Sequence, residues 1–348
     1  MDTRLLRLLD ATRDGHAPSK AECAALLEYP AASPEASLLR ATADAVSRQR
    51  FGNEAIILGQ LGVAIAPCPG NCGFCSFGEE HTHFTSSAMS DADILGGAER
   101  FTASGDLYAL FLMTMHTYDF DRLIDAVCTI RRNLPTWPQI VVNIGDFDRT
   151  QAGLLREAGV NGAYHVLRLR EGTDTALDPG QRKRTIKAIR DAGLDWYYCC
   201  EPIGPEHTNA EIVEQIFLGI EYGCFQHAAM RRVYIPSVPL SRYGQISDLR
   251  LGHVTAVIAL ASLACPTTKN IAVHEPNLIG LTSGANVVYA EAGANPRDIE
   301  ADTTGHRGRD VVACKTMLFD AGFDRLSIAP GRHRSLADAY RNSGHPGA

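Results

Sequence analysis

QRKRTIKAIRDAGLDWYYCCEP, residues 181–202, contains one complete structural repeat. Ile186 and Ile189 stand one helical turn apart among basic residues, which gives the segment one apolar face. Gly193 follows, in the place where a left-handed residue closes a last helical turn. Leu194–Cys199 is then a short aromatic and apolar run of strand character. The spacing predicts a helix over Gly180–Ala192 and a strand over Leu194–Cys199. The same helix–glycine–strand junction recurs as REAGV at Arg156 and IEYGC at Ile220.

Read outward from this repeat, strands are expected at Ile56–Ile65, Leu107–Met113, Gln139–Ile144, Gly162–Leu167, Arg232–Ile235, Asn270–Val273 and Asn286–Ala290. Helices are expected between them, at Asp91–Thr102, Phe120–Arg132, Thr150–Ala158, Asn209–Tyr222, Leu249–Leu263 and Asn277–Ser283. A last helix is expected at Asp310–Ala321. Strand and helix alternate about eight times, the pattern of an α/β (β/α)8 barrel of TIM type. An open doubly wound sheet is the rival, but no GxGxxG turn follows the first strand. Before the barrel, LLRLL at Leu5, AECAALLEY at Ala21 and EASLLRATADAVSRQRF up to Phe51 read as helices, the last opened by Ser33-Pro34. The division expected is an N-terminal helical extension over 1–50, the barrel with its closing segment over 51–325, and a C-terminal tail over 326–348 ending in an unfolded RNSGHPGA.

The 348 residues are 45% hydrophobic, enough for a large core, and carry a formal net charge of -7. No basic excess points to nucleic acid. MDTRLLRLLDATRDG has no apolar stretch of the secretory type, and no run is long enough to span a bilayer. The expected setting is the cytoplasm, where the ten cysteines are free, metal-binding or catalytic rather than paired.

Three of the ten fall together in CPGNCGFC, as Cys68, Cys72 and Cys75, directly after the first expected strand. In a barrel this is the loop at the C-terminal face, where active sites lie. A structural zinc site wants four closed ligands, commonly as two pairs, and no second pair exists; Cys265 and Cys314 are isolated. Three thiolates can hold a 4Fe–4S cluster and leave one iron open for a ligand. A cluster or partial zinc site used for structure or redox sensing is the alternative from another class.

CPGNCGFC, with Phe74 before the last cysteine, resembles the signature of the radical S-adenosylmethionine (SAM) superfamily. SRQRFGNEAIILGQLGVAIAPCPGNCGFC resembles the approach to the cluster in biotin synthase. LLREAGVNGAYHVLRLREGTDT and QRKRTIKAIRDAGL resemble the fourth barrel segment of biotin synthase, the hydrogenase maturase HydE and methylornithine synthase. SGANVVYAEAGANPRD and VVACKTMLFDAGF resemble their closing strand and final helix. The resemblance runs in segments from Leu39 to Phe323. It implies that Cys68, Cys72 and Cys75 bind one 4Fe–4S cluster whose open iron takes SAM, and that Phe74 packs near the adenine. It implies SAM contacts from Glu171, at the end of the fourth strand, and from Arg182. A Gly-Gly-Glu-like turn of the group is replaced by Met113, Thr114 and Met115, so Thr114 takes the place of a SAM contact.

Chemistry supports several of these assignments. A guanidinium pairs bidentately with a carboxylate. Arg168 and Arg170 alternate with Leu167 and Leu169 along an expected strand, so they share a face and call for an acid, SAM or an anionic substrate. Arg232, Tyr234 and Ser237 near the sixth expected strand are candidates to orient a polar substrate. His116, His274 and Glu275 end strands, where catalytic groups gather. The GEEHTHF segment, Gly78–Phe84, reads as a polar loop over SAM. Of Cys199 and Cys200, at most one faces inward.

The resemblance implies reductive cleavage of SAM by one electron from ferredoxin or flavodoxin, then hydrogen abstraction from a small polar molecule, carboxylate- or amino-acid-like. Rearrangement, carbon–carbon cleavage or transfer would follow. Biotin synthase carries inner cysteines for a second cluster, and here those positions read Met113, Val141 and about Tyr197, which disfavours sulfur insertion. A maturation enzyme of the HydE type is a second reading.

Overall fold

The computed structural model describes residues 2–134, 137–293, 295 and 309–341. Eight strands run parallel: β1 (Glu54–Gly62), β2 (Ala109–Met113), β3 (Gln139–Asn143), β4 (Gly162–Tyr164), β5 (Asp195–Ile203), β6 (Gln226–Arg231), β7 (Asn270–His274) and β8 (Val287–Gly293). The ring closes where β8 pairs with β1, from Ile56 beside Val287 to Gly62 beside Gly293. The fold is a (β/α)8 barrel.

Helices α1 (Thr3–Arg13), α2 (Lys20–Leu27) and α3 (Pro34–Phe51) precede it. The helices around the ring are α4 (Asp91–Thr102), α5 (Phe120–Asn133), α6 (Arg149–Glu157), α7 (Pro179–Asp191), α8 (Asn209–Glu221), α9 (Asp248–Ala261), α10 (Leu278–Leu281) and α11 (Val311–Asp320). Local chemistry sets their ends. Asp178 caps α7 through the Gly180 and Gln181 amides, Pro179 sits in its first turn, and Gly193 follows it at φ 70°. Ser33 caps α3, and Gly52 ends it at φ 64°.

α9 explains why α2 and α3 are there. Every residue from Leu251 to Ala261 is buried, so this helix is covered on its outer side as well as by the barrel. α3 and α2 provide that cover. His253 Nε2 bonds the Leu26 carbonyl at 2.9 Å, and Ser47 Oγ donates to the Gly284 carbonyl at 2.6 Å.

Two sequence expectations need correction. The sixth strand is QHAAMR, not the Arg232–Ile235 stretch. Ala228 and Ala229 are fully buried and pair with Ala272 and Val273, whereas VYIPSVP begins a loop. The β-branched residues of that loop mimic a strand, while the real one is built of small residues that let α9 approach closely. The segment expected as a tail, 326–348, is also more than that. β9 (Arg325–Ala329) pairs with the start of β1 outside the ring. β10 (Arg332–Ser335) folds back on it, and α12 (Leu336–Arg341) follows. Of the expected unfolded RNSGHPGA, residues 342–348 lie outside the described residues.

Candidate active site

The lower barrel is plugged by aromatic rings. Phe111 packs edge-on against Tyr197 and Tyr289, with centroids 5.2 and 5.4 Å away, and against Tyr164 at 6.5 Å. Above this plug, at the C-terminal ends of the strands, lies an open cavity of about 1110 Å³ including its mouth. Cys68, Cys72, Phe74 and Cys75 line it, together with Met113, Thr114, Met115, His116, Arg168, Arg182, Arg232 and His274.

The cysteine loop folds back on itself. The Cys68 amide donates to the Phe77 carbonyl at 2.7 Å, and Glu79 returns to the Cys68 carbonyl at 3.1 Å. Phe77 then packs edge-on to Phe84, 5.0 Å away, over Ile65, Met113 and Met115. Neighbouring loops hold Gly73 from two sides. Its N–H donates to the Asp174 carbonyl at 2.9 Å, and its carbonyl accepts from Leu240 N–H at 2.8 Å. A Cβ on Gly73 would stand 3.0 Å from Leu240 Cγ, so only glycine fits between these loops without movement.

Burial pushes the Cys72 thiol up to about 11 and the Cys75 thiol higher still. Without a bound cation these groups stay protonated; a metal must supply the charge that makes them thiolates. Among the described residues, only Asp174, Glu206 and His207 bring three ligand atoms within 4.8 Å of one another. The sulfurs of Cys68, Cys72 and Cys75 do not all lie within 4.8 Å of one another, so they are not gathered around a single ion, and this spread is compatible with a multi-iron cluster. The Asp174 trio fails a chemical test: His207 Nδ1 accepts the Gly204 N–H at 2.9 Å, so neutral His207 has its proton on Nε2 and no lone pair left for an ion.

Beside the loop, Arg168 lies with its guanidinium 5.8 Å from the Phe74 ring centroid. Its Nε is 3.3 Å from Glu201, and Nη1 is 3.9 Å from Glu171. Burial works against its charge, but these carboxylates outweigh burial and hold the arginine firmly protonated. Tyr164 donates a short hydrogen bond to Glu201 Oε2. Behind Arg168, Arg182 is buried, with Nη1 3.1 Å from Asp146 and both Nε and Nη2 bonded to the Val166 carbonyl. Asp146 also meets His165 at 3.1 Å and stands 4.0 Å from His116. Burial raises the Asp146 pKa, but His165 and Arg182 outweigh it and hold the carboxyl below the usual range; burial lowers His116.

The structure separates the residues expected in the site. Cys68, Cys72, Cys75, Phe74, Thr114, His116, Arg168, Arg182, Arg232 and His274 share the cavity wall. His274 lies against Tyr289 and Tyr164, with centroids 4.6 and 5.6 Å away, so it sits on the aromatic floor. Glu171 is not on the wall. It accepts from the Arg168 amide and the Thr175 hydroxyl, both at 2.8 Å, and supports the arginines from behind. Arg170 does not share a face with Arg168. β4 ends at Tyr164, the chain turns with Arg170 at φ 54°, and its guanidinium leaves the cavity for Glu211 at 2.7 Å. Tyr234 is 52% exposed and Ser237 is exposed, both in the loop after β6. Glu275 follows β7 at φ 59° and is not on the wall. Arg232 reaches the wall, but its Nη2 is bonded to Glu206 at 2.9 Å. Sequence reasoning missed Asp146, Asn143 and Tyr164; NIGD, at the end of the third strand, was the available signal.

No family model matches the chain. It is 26% identical over 237 residues to a biotin synthase of Nitratidesulfovibrio vulgaris strain DP4, covering 64% of this chain and 62% of that protein. It is 24% identical to a biotin synthase of Saccharopolyspora erythraea, covering 98% of this chain and 94% of the relative. These relatives support a place in the radical SAM superfamily, on its biotin synthase-like branch. A crystal structure of methylornithine synthase shares this barrel fold at TM-score 0.78 and 15% identity, covering 95% of this chain and 98% of that one. The chain spans 62% of the length of the first biotin synthase it matches. Radical SAM relatives imply a 4Fe–4S cluster and SAM, and the spread thiols beside a cavity that holds Phe74 and Arg168 fit that pair.

Proposed function

We propose that this chain is a radical SAM enzyme that abstracts hydrogen from a small polar substrate held in the barrel mouth. The observation that carries the reading is the convergence of Cys68, Cys72, Cys75, Phe74 and Arg168 on one cavity wall. The cluster and SAM, when bound, supply one-electron reductive cleavage to methionine and a 5′-deoxyadenosyl radical that takes hydrogen from an unactivated carbon.

The chain's own residues do the rest. Cys68, Cys72 and Cys75 hold the cluster as thiolates. Phe74 offers its face to the adenine, and Thr114 offers polar groups at the end of β2. Arg168 keeps donors toward the cavity, while Glu171 and Glu201 hold it charged; it is the arginine for the SAM carboxylate. Arg182, with its donors spent on Val166 and Asp146, positions that wall. The aromatic plug of Phe111, Tyr197 and Tyr289 closes the floor and keeps bulk water from the reacting carbon.

His116 and His274 reach the cavity and are the groups placed to move a proton on the substrate. Arg170 and Arg232 are both tied to acids, which favours a substrate held by hydrogen bonds over one held by a free arginine. The interior positions Met113, Val141 and Tyr197 offer no thiol, which argues against sulfur insertion. The electron comes from a ferredoxin or flavodoxin.

The test is 5′-deoxyadenosine release by anaerobically reconstituted protein given SAM and dithionite, beside a Cys75→Ala control. Release by the wild type alone supports the reading. Absence of both release and SAM binding in iron-loaded protein rejects it.

A further inference from the structure

The GEEHTHF segment is not spent on SAM. His81 turns back over the cysteine loop, and its Nε2 lies 2.7 Å from the Cys75 carbonyl oxygen. A carbonyl only accepts, so Nε2 carries the proton and donates. Gly78 makes room for this ring: a Cβ there would fall onto His81, 2.8 Å from Nε2. The His81 and Thr82 amides both return to the Gly78 carbonyl, at 3.0 and 2.8 Å, so the turn carrying the imidazole is itself fixed. On the other side of the Cys75 carbonyl, Phe77 N–H points at Cys75 Sγ, 3.4 Å away. Phe77 is anchored in turn by its carbonyl, which accepts from Cys68.

We infer that His81 is a positioning residue for the last cysteine of the cluster loop. By holding the Cys75 carbonyl, it fixes the 75–77 turn so that the Phe77 amide bonds the cluster-binding sulfur. The inference rests on the cluster-binding reading above. Hydrogen bonds to cluster sulfurs favour the reduced, more negative state, so this contact raises the reduction potential. His81 does not itself line the cavity; its bond is to the Cys75 backbone, and it acts through the turn.

The experiment uses the full chain, reconstituted anaerobically with iron and sulfide, in four forms: wild type, His81→Ala, His81→Gln and Gly78→Ala. The readouts are iron content, the EPR spectrum of the reduced cluster without SAM, and its midpoint potential by redox titration. Expected is a more negative potential and an altered EPR spectrum in His81→Ala. His81→Gln, which keeps an N–H donor, should return toward wild type. Gly78→Ala, which displaces the ring and leaves it in the chain, should copy His81→Ala. A His81→Ala protein that fails to hold iron while His81→Gln holds it also supports the inference. Wild-type potential and spectrum in both His81→Ala and Gly78→Ala would overturn it, with the cluster reading intact. A wild type that takes up no cluster would overturn both.

Discussion

At the scale of single residues, the site is decided by which arginines keep a free face. Arg168 and Arg170 look equivalent in LRLR. The expectation that they share a face assumed a strand, but β4 stops at Tyr164 and the turn sends Arg170 to Glu211. The burial of Arg182 was not legible, because it sits in a run of basic residues whose other members are more exposed. Its partners, Asp146 and Glu171, come from the separate loops after β3 and β4 and become neighbours only in the folded barrel. Removing Arg182 leaves the half-buried Asp146 without its arginine and the buried Glu171 with Arg168 alone. Arg182→Met is therefore expected to destabilise the apoprotein by about 3–5 kcal/mol. Arg184→Met, two residues on and on another face of α7, with a side chain 65% exposed beside Asp178, should change stability by less than about 0.5 kcal/mol. Urea denaturation of both variants decides this. Equal midpoints would mean that Arg182 is not the keystone of the wall.

At the scale of elements, the cysteine motif was readable because its spacing is local. Its clamps were not, because they come from distant loops. Leu240 lies just beyond Arg232–Ile235, the segment that the sequence offered as the sixth strand, and the true strand hides in alanines and His227. That misreading placed Tyr234 and Ser237 in the substrate site. It also hid the real role of the loop, which closes on Gly73 through a buried leucine and one backbone hydrogen bond. Leu240→Ala removes the buried side chain and leaves a gap over the cysteine loop. The expected cost is about 2–4 kcal/mol of stability, together with faster amide exchange across residues 68–78. Hydrogen-exchange mass spectrometry tests the second effect directly. Loss of stability with unchanged exchange in 68–78 would show that the two loops are not coupled.

At the scale of the whole molecule, the barrel was legible because its strand–helix repeats carry their own punctuation, a side-chain cap before each helix and, after α6, α7 and α8, a glycine before the next strand. The role of the N-terminal extension was not, since nothing in α1–α3 states what they cover. The clue lies in α9, LGHVTAVIALA, which is apolar on every side and must be buried on both. His253 reports on that seam. It is enclosed between α9 and α2, and burial depresses its pKa to about 4. The ordinary value, about 6.5, applies in the unfolded chain, so between these limits the unfolded state binds the extra proton. Stability contributed by neutral His253 is therefore complete above about pH 6.5 and lost as pH falls toward 4, at a slope approaching about 1.4 kcal/mol per pH unit. His227, depressed to about 3 by burial between β6 and the end of α9, adds a slope of the same sign. Carboxylates titrate in this range as well, so the comparison has to be made with a variant. His253→Gln keeps a donor for the Leu26 carbonyl and removes the titration. Its unfolding free energy, measured by denaturant from pH 7 to 4.5, should fall less steeply than the wild type's by about one proton's worth. If the slopes match, His253 is already solvated in the native protein, and α2 does not seal α9.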